Sequence, residues 1–178
     1  MVVFEVSCGP KRLNRVRVDL VVSPTQLMGD VELGETQLSK LLPRLPHAEP
    51  RLYPLVDQIS DKACAMVEIR SNGAASTRTK DLVDIVTFAS TYSFDKDVLR
   101  LAITAEAALR GLEIDDFAGR IPAEIWAGRY ATEAAKIPHC RRHPIIDDAV
   151  DLVSVFIDEA VADTGGPVTW DPADLAWK

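Results

Sequence analysis

The chain has 178 residues, 47% of them apolar and 26% charged, and carries a formal net charge of −7. Those proportions describe a globular protein able to bury a sizeable core, and the acidic balance argues against a surface that coats nucleic acid broadly. No apolar run approaches the roughly 18 residues that a membrane helix needs, so no membrane is expected as a partner.

The opening "MVVFEVSCGPKR" lacks the basic-then-apolar plan of a secretory leader, which gives a cytoplasmic expectation. Cys8, Cys64 and Cys140 are far apart and without metal-ligand spacing, so they read as reduced thiols, Cys64 packed in a helix. Two small basic clusters, Lys11, Arg12, Arg15 and Arg17 near the start and Arg141 and Arg142 between His139 and His143, read first as solvated surface.

Two strands come first. "VVFEVS" alternates apolar and polar residues, "CGPKRLN" supplies a turn, and "RVRVDLVV" alternates again. In the second strand Val16, Val18 and Leu20 share one face and Arg15, Arg17 and Asp19 the other. So small a pair is expected to pack on something. Residues 23–50 are irregular, with a short helix expected around "GETQLSKLL" and a proline-broken connector "PRLPHAEP". "RLYPL" reads as a brief edge strand that Pro54 ends.

From residue 55 the period changes. Leu55, Val56, Ile59, Ala63, Met66 and Val67 mark an amphipathic helix to about Ile69, closed by Asn72 or Gly73. Ser76 or Thr77 is expected to cap a second helix that runs to about Tyr92. A third spans about 95–110 before Gly111, a fourth follows Pro122 and stops before Pro138, and a fifth runs from Pro144 to "TGGP". Two tryptophans in the tail "VTWDPADLAWK" indicate that it docks. The fold class is therefore α+β, a small sheet at the N-terminus followed by a helical bundle, and the sheet looks undersized for its helices.

Lys62 falls at the margin of the first helix's apolar stripe. On the second helix Asp81, Asp84, Phe88 and Tyr92 form a side strip at three-and-four spacing. Antiparallel helices would bring Lys62 to that strip, as an ammonium between carboxylates in a half-buried cleft. The ordinary alternative is a set of surface charges: Asp81 favouring its helix dipole, Lys80 pairing with Asp84, and Lys62 laying its stem over an apolar rim. His139 and His143 sit in a loop between prolines and make a poor zinc pair, Cys64 has no base beside it, and Trp126, Trp170 and Trp177 read as packing anchors.

"YPLVDQISDKACAM" followed by "STRTKDLVDI" resembles the two downstream motifs of the AbiEii/AbiGii nucleotidyltransferase toxins, MenT-type toxins among them. The resemblance is strong over residues 51–90 and agrees in kind elsewhere. By position it implies Lys62 and Asp84 as catalytic residues and Arg78, Lys80 and Asp81 as supporting or nucleotide-binding residues. It also implies magnesium, an NTP substrate, a cognate antitoxin, and a tRNA 3′ end or a protein hydroxyl as acceptor. Lys62 would steady the triphosphate; Asp84 would orient that lysine or assist at the acceptor hydroxyl.

One part of the family pattern is not found: the glycine turn followed by an Asp-x-Asp strand that holds the metals. Asp19 fits the third acidic position, on the strand after that motif, as a weaker metal candidate. On this reading residues 1–54 are a residual β-rich part of the nucleotidyltransferase core and 55–178 its helical part. The chain is expected to start late and, without the carboxylate pair, to transfer nucleotides poorly or not at all. The alternatives are a non-catalytic helical module that binds an antitoxin or another protein, and an unrelated helical interaction domain.

Overall fold

In a computed structural model, all residues of the chain are described except 21–25, 36–39, 42–43, 45–48, 70–72, 114, 163–164 and 167. The first strand pair is an interrupted hairpin. β1 (Val2–Phe4) lies antiparallel to β4 (Val16–Val18), with Val3 opposite Arg17. Nearer the turn, β2 (Ser7–Cys8) pairs with β3 (Lys11–Arg12), and Gly9 takes the left-handed φ of 58° that the reversal needs. The alternation read through Leu20 ends at Val18. Val2, Phe4, Val16 and Leu20 remain exposed, and the buried core begins only at Val56. The expectation that this pair packs on something is therefore not met at these four side chains among the described residues.

A second antiparallel pair, β5 (Glu32–Leu33) and β6 (Arg51–Leu52), brings "RLYPL" back as the expected short strand. The helix expected around residues 34–42, the connector that follows and His47 fall largely or wholly outside the described residues.

Five α-helices of eight or more residues follow among the described residues: α1 (Leu55–Val67), α2 (Thr79–Ala89), α3 (Lys96–Arg110), α4 (Ala123–Ala134) and α5 (Ile146–Val153). Their boundaries have local causes. Asp95 caps α3 by accepting the Val98 N–H at 3.0 Å, and Gly111 ends that helix at φ 65°. The α2 start differs from expectation. Arg78 occupies the capping position, but its side chain makes no capping hydrogen bond. Ser76 instead donates to the Ala65 carbonyl at 2.8 Å and accepts the Arg78 N–H at 3.3 Å, fastening the loop to the end of α1. The helix also stops at Ala89, short of Tyr92.

Helix α1 lies against both α2 and α3, and Ile59, Met66, Leu82, Ile85, Val86, Leu99 and Ile103 are fully buried between them. After α5 the chain makes a π-helical turn (Ser154–Asp158) before its last helical residues, Glu159–Val161. Phe156 on that turn packs 4.7 Å from the Trp170 ring and 5.9 Å from the Trp177 ring, centroid to centroid. Those tryptophans lie on a hairpin, β7 (Trp170–Asp171) and β8 (Ala176–Trp177), which the sequence reading did not foresee. Their indole N–H groups reach the Ala89 and Val155 carbonyls at 2.7 and 3.0 Å, so the tail docks on α2 and on the π turn.

Candidate active site

On α1, Lys62 adjoins the buried Ala63 but points its side chain across to α2, where Asp81 and Asp84 are one turn apart. Its ammonium donates to Asp84 Oδ2 at 2.6 Å and to Asp81 Oδ1 at 3.3 Å. Asp81 spends its other oxygen on Arg78 Nη1, also at 3.3 Å. The lysine and Asp81 side chains are only 20% and 10% exposed, whereas Asp84 is 46% exposed and forms the open rim of the cluster. Two cations and two carboxylates thus alternate along one groove.

Burial alone would lower the Lys62 pKa. The hydrogen bond and charge of Asp84, joined by those of Asp81, outweigh it and hold the amine above its usual value. Lys62 is therefore a fixed cation at neutral pH. Its two carboxylate bonds account for two of an ammonium's three donors, and the third is the one an incoming anion would meet.

The other expected site residues separate. Lys80 is exposed and lies toward α4, where its charge, secondary to the hydrogen bond from Lys136, helps hold the Glu133 carboxyl below the usual range. Asp84 pairs with Lys62 across the helices, not with Lys80 one turn away. Asp19 is exposed one residue beyond β4, and among the described residues no hydrogen bond or ion pair joins it to the cluster. His143 Nδ1 lies 3.3 Å from the Asp148 carbonyl oxygen, while Cys140 between the two histidines turns into the core.

Among the described residues no closed, all-protein metal cage is present. Asp81 and Asp84 already hold an ammonium where a cation would sit, and among the described residues no three His, Cys, Asp or Glu side chains converge.

Two positions escaped sequence reasoning. Asp57, in the first turn of α1, is buried and accepts the backbone N–H groups of Met28 and Gly29, each at 2.9 Å. It ties the β-rich segment to the helix that carries Lys62. The available signal was an acid between Val56 and Ile59, inside an apolar stripe where an unpartnered carboxylate is untenable. Arg110, at the end of α3, binds Glu106 Nε to Oε1 at 2.6 Å, Glu68 at 2.9 Å, and Asp61. Asp61, beside Lys62 in sequence, thus faces away from the cluster and clamps α1 to α3.

At the start of α1 lies a cavity of about 520 Å³ lined by Tyr53, Leu55, Gln58, Tyr92 and Phe94 among others, with no residue of the Lys62 cluster in its lining. Leu55 is seven residues from Lys62, about 10 Å along the helix axis.

No helix among the described residues is long and apolar enough to cross a membrane. No curated protein and no solved structure matches the chain. A family model does, the one described as "Nucleotidyl transferase AbiEii toxin, Type IV TA system", over residues 2–152. Its span contains both helices of the Lys62 cluster and the strand pairs before them. The chain therefore belongs to the AbiEii nucleotidyl transferase toxin family of type IV toxin–antitoxin systems.

Proposed function

We propose that the Lys62 groove binds an NTP and supports transfer of its nucleoside monophosphate to an RNA hydroxyl, the 3′ end of tRNA being the acceptor class implied by the resemblance. One observation carries this reading: a permanently charged amine held at 2.6 Å by Asp84 and 3.3 Å by Asp81, with Asp84 at the solvent rim. Lys62 meets the triphosphate, Asp81 and Asp84 keep it aimed, and Arg78 adds a second cation. The base and ribose extend toward the Tyr53–Tyr92 cavity.

In the reaction the acceptor oxygen bonds to the α-phosphorus and the bond to the β-phosphate's bridging oxygen breaks. Pyrophosphate leaves, and the hydroxyl proton passes to Asp84 or water. Magnesium belongs to the proposal as part of the substrate, carried on the triphosphate. Because no glycine turn followed by an Asp-x-Asp strand is found ahead of residue 55, transfer by this chain is expected to be slow.

Incubation with labelled NTPs, magnesium and total tRNA tests the proposal. Weak, slow RNA labelling that disappears in Lys62→Ala is expected. Nucleotide binding with no labelling at all would favour the alternative reading, a module that docks its antitoxin without catalysis. That reading draws on the exposed apolar residues of the first hairpin, Phe4, Val16 and Leu20. Membership in a toxin–antitoxin family implies an antitoxin partner in either case.

A further inference from the structure

The "HCRR" stretch, read first as solvated surface, is held more firmly than such a surface requires. Residues Pro138–Arg142 form a 3₁₀ turn packed on α2. Cys140 points inward, with its sulfur 3.7 Å from Thr87 Oγ1 and 3.8 Å from the Val83 carbonyl oxygen. At three residues per turn, this anchoring directs His139 and Arg142 together to the outside, with Arg141 beside them. Tyr130 locks the exit of the turn by donating its hydroxyl to the His143 carbonyl at 2.9 Å.

The turn walls an open cavity of about 530 Å³ whose other sides are Ser90, at the end of α2, and the Pro172–Ala173 tip of the final hairpin. Its lining carries three basic side chains and no acid, on a chain of net charge −7. The nearby hairpin acids are turned to another partner: Lys178 binds Asp171 at 2.7 Å and also Asp174. Among the described residues His139 and Arg141 are exposed without a hydrogen bond or ion pair, and Arg142 reaches only the Ala173 carbonyl, at 3.5 Å. The Ser90 hydroxyl oxygen is sheltered and has no hydrogen-bond partner among the described residues. Unspent donors of this kind, arranged on a rigid frame, are what a phosphate needs.

Position connects the cavity to the Lys62 groove. Ser90 follows Asp84 by six residues, about 9 Å along the α2 axis, so a strand with its terminal hydroxyl at Asp84 would pass over the turn. We propose that this cavity binds a backbone phosphate of the acceptor RNA, upstream of the hydroxyl that receives the nucleotide. The proposal rests on the reading that the acceptor is RNA.

The test is fluorescence anisotropy with a labelled RNA ending in a single-stranded 3′ tail, measured over a range of salt for the full chain and for Arg141→Ala/Arg142→Ala. NTP affinity is measured alongside. The double variant is expected to bind RNA about tenfold more weakly, with the slope of log affinity against log salt shallower by about 1.4 for two lost single-strand contacts. Its NTP affinity should be unchanged. RNA affinity and slope equal to those of the unaltered chain would overturn the cavity assignment and leave the RNA reading standing. Failure of the unaltered chain to bind RNA would remove both. A variant that keeps RNA but loses NTP would assign the cavity to the nucleotide and overturn the proposal.

Discussion

Replacing Asp57 with alanine should release residues 28–29 from α1 and leave the helical core folded. The carboxylate accepts two backbone N–H groups at 2.9 Å, and both donors lie on a segment otherwise outside the core. Hydrogen bonds to a charged acceptor contribute about 1.5–3 kcal/mol each, so losing both costs about 3–6 kcal/mol locally. Asp57→Asn keeps one acceptor oxygen and should lose about half of that. Gly29→Ala attacks the same junction from the other side: its Cβ would fall 2.6 Å from Pro54 Cβ and 2.7 Å from Val56 Cγ2. Neither atom is the far end of a flexible side chain, so the loop must lift. Hydrogen exchange of a peptide covering residues 26–34 reads the opening directly. At about 1.4 kcal/mol per tenfold change, Asp57→Ala should raise local exchange by at least about a hundredfold, with Asp57→Asn in between and the α3 amides protected as before. Unchanged exchange at residues 28–29 in Asp57→Ala would refute the tether. A uniform loss of protection through α1–α3 would show that the carboxylate supports the whole fold instead.

The Lys62 cluster should also leave a mark on stability. Its folded-state pKa lies above 10.5, so its contribution is fully present below pH 10.5 and is lost as pH rises through the folded value. Denaturant midpoints of Lys62→Met should fall below those of the unaltered chain at pH 7, by about 1–3 kcal/mol for a partly buried pair, and the gap should narrow only above pH 10.5. A gap constant into that alkaline range would argue against the ion pair. For the thiols, Cys8 is exposed whereas Cys64 and Cys140 are buried, and burial pushes Cys64 up to about 12. A thiol reagent at pH 8 should modify Cys8 promptly and the other two only on unfolding; fast labelling of Cys64 would contradict its placement in the core.

Helix positions were legible because they rest on periodic burial and local punctuation. Gly111, Pro122 and the apolar stripe of α1 each act within a turn of their own residue, so the sequence alone carries them. The meeting of Lys62 with Asp84 was also accessible, since antiparallel helices bring a fixed pair of strips together. What escaped depends on contacts between distant segments. Asp57 finds its donors 28 and 29 residues away, and Arg110 finds Asp61 49 residues away; neither partner follows from spacing. Ser76 was read as a cap because hydroxyls favour that place, but a carbonyl of the preceding helix competed successfully for it. The first hairpin misled for a related reason: alternation fixes which face is apolar, not whether another element covers it. Asp19 lies one residue past that hairpin's last strand, so its relation to the cluster could not be deduced from strand pattern alone.

The most direct measurement is calorimetric titration of each of the four magnesium-bound NTPs into the unaltered chain, Lys62→Ala and Asp84→Asn, with the matching nucleosides as controls. Binding that requires the triphosphate and weakens at least about tenfold in Lys62→Ala, as expected for one lost charge-assisted bond, with a smaller loss in Asp84→Asn, is the result the account requires. Equal NTP affinity in the unaltered chain and Lys62→Ala, or no NTP binding by any of the three, would contradict it.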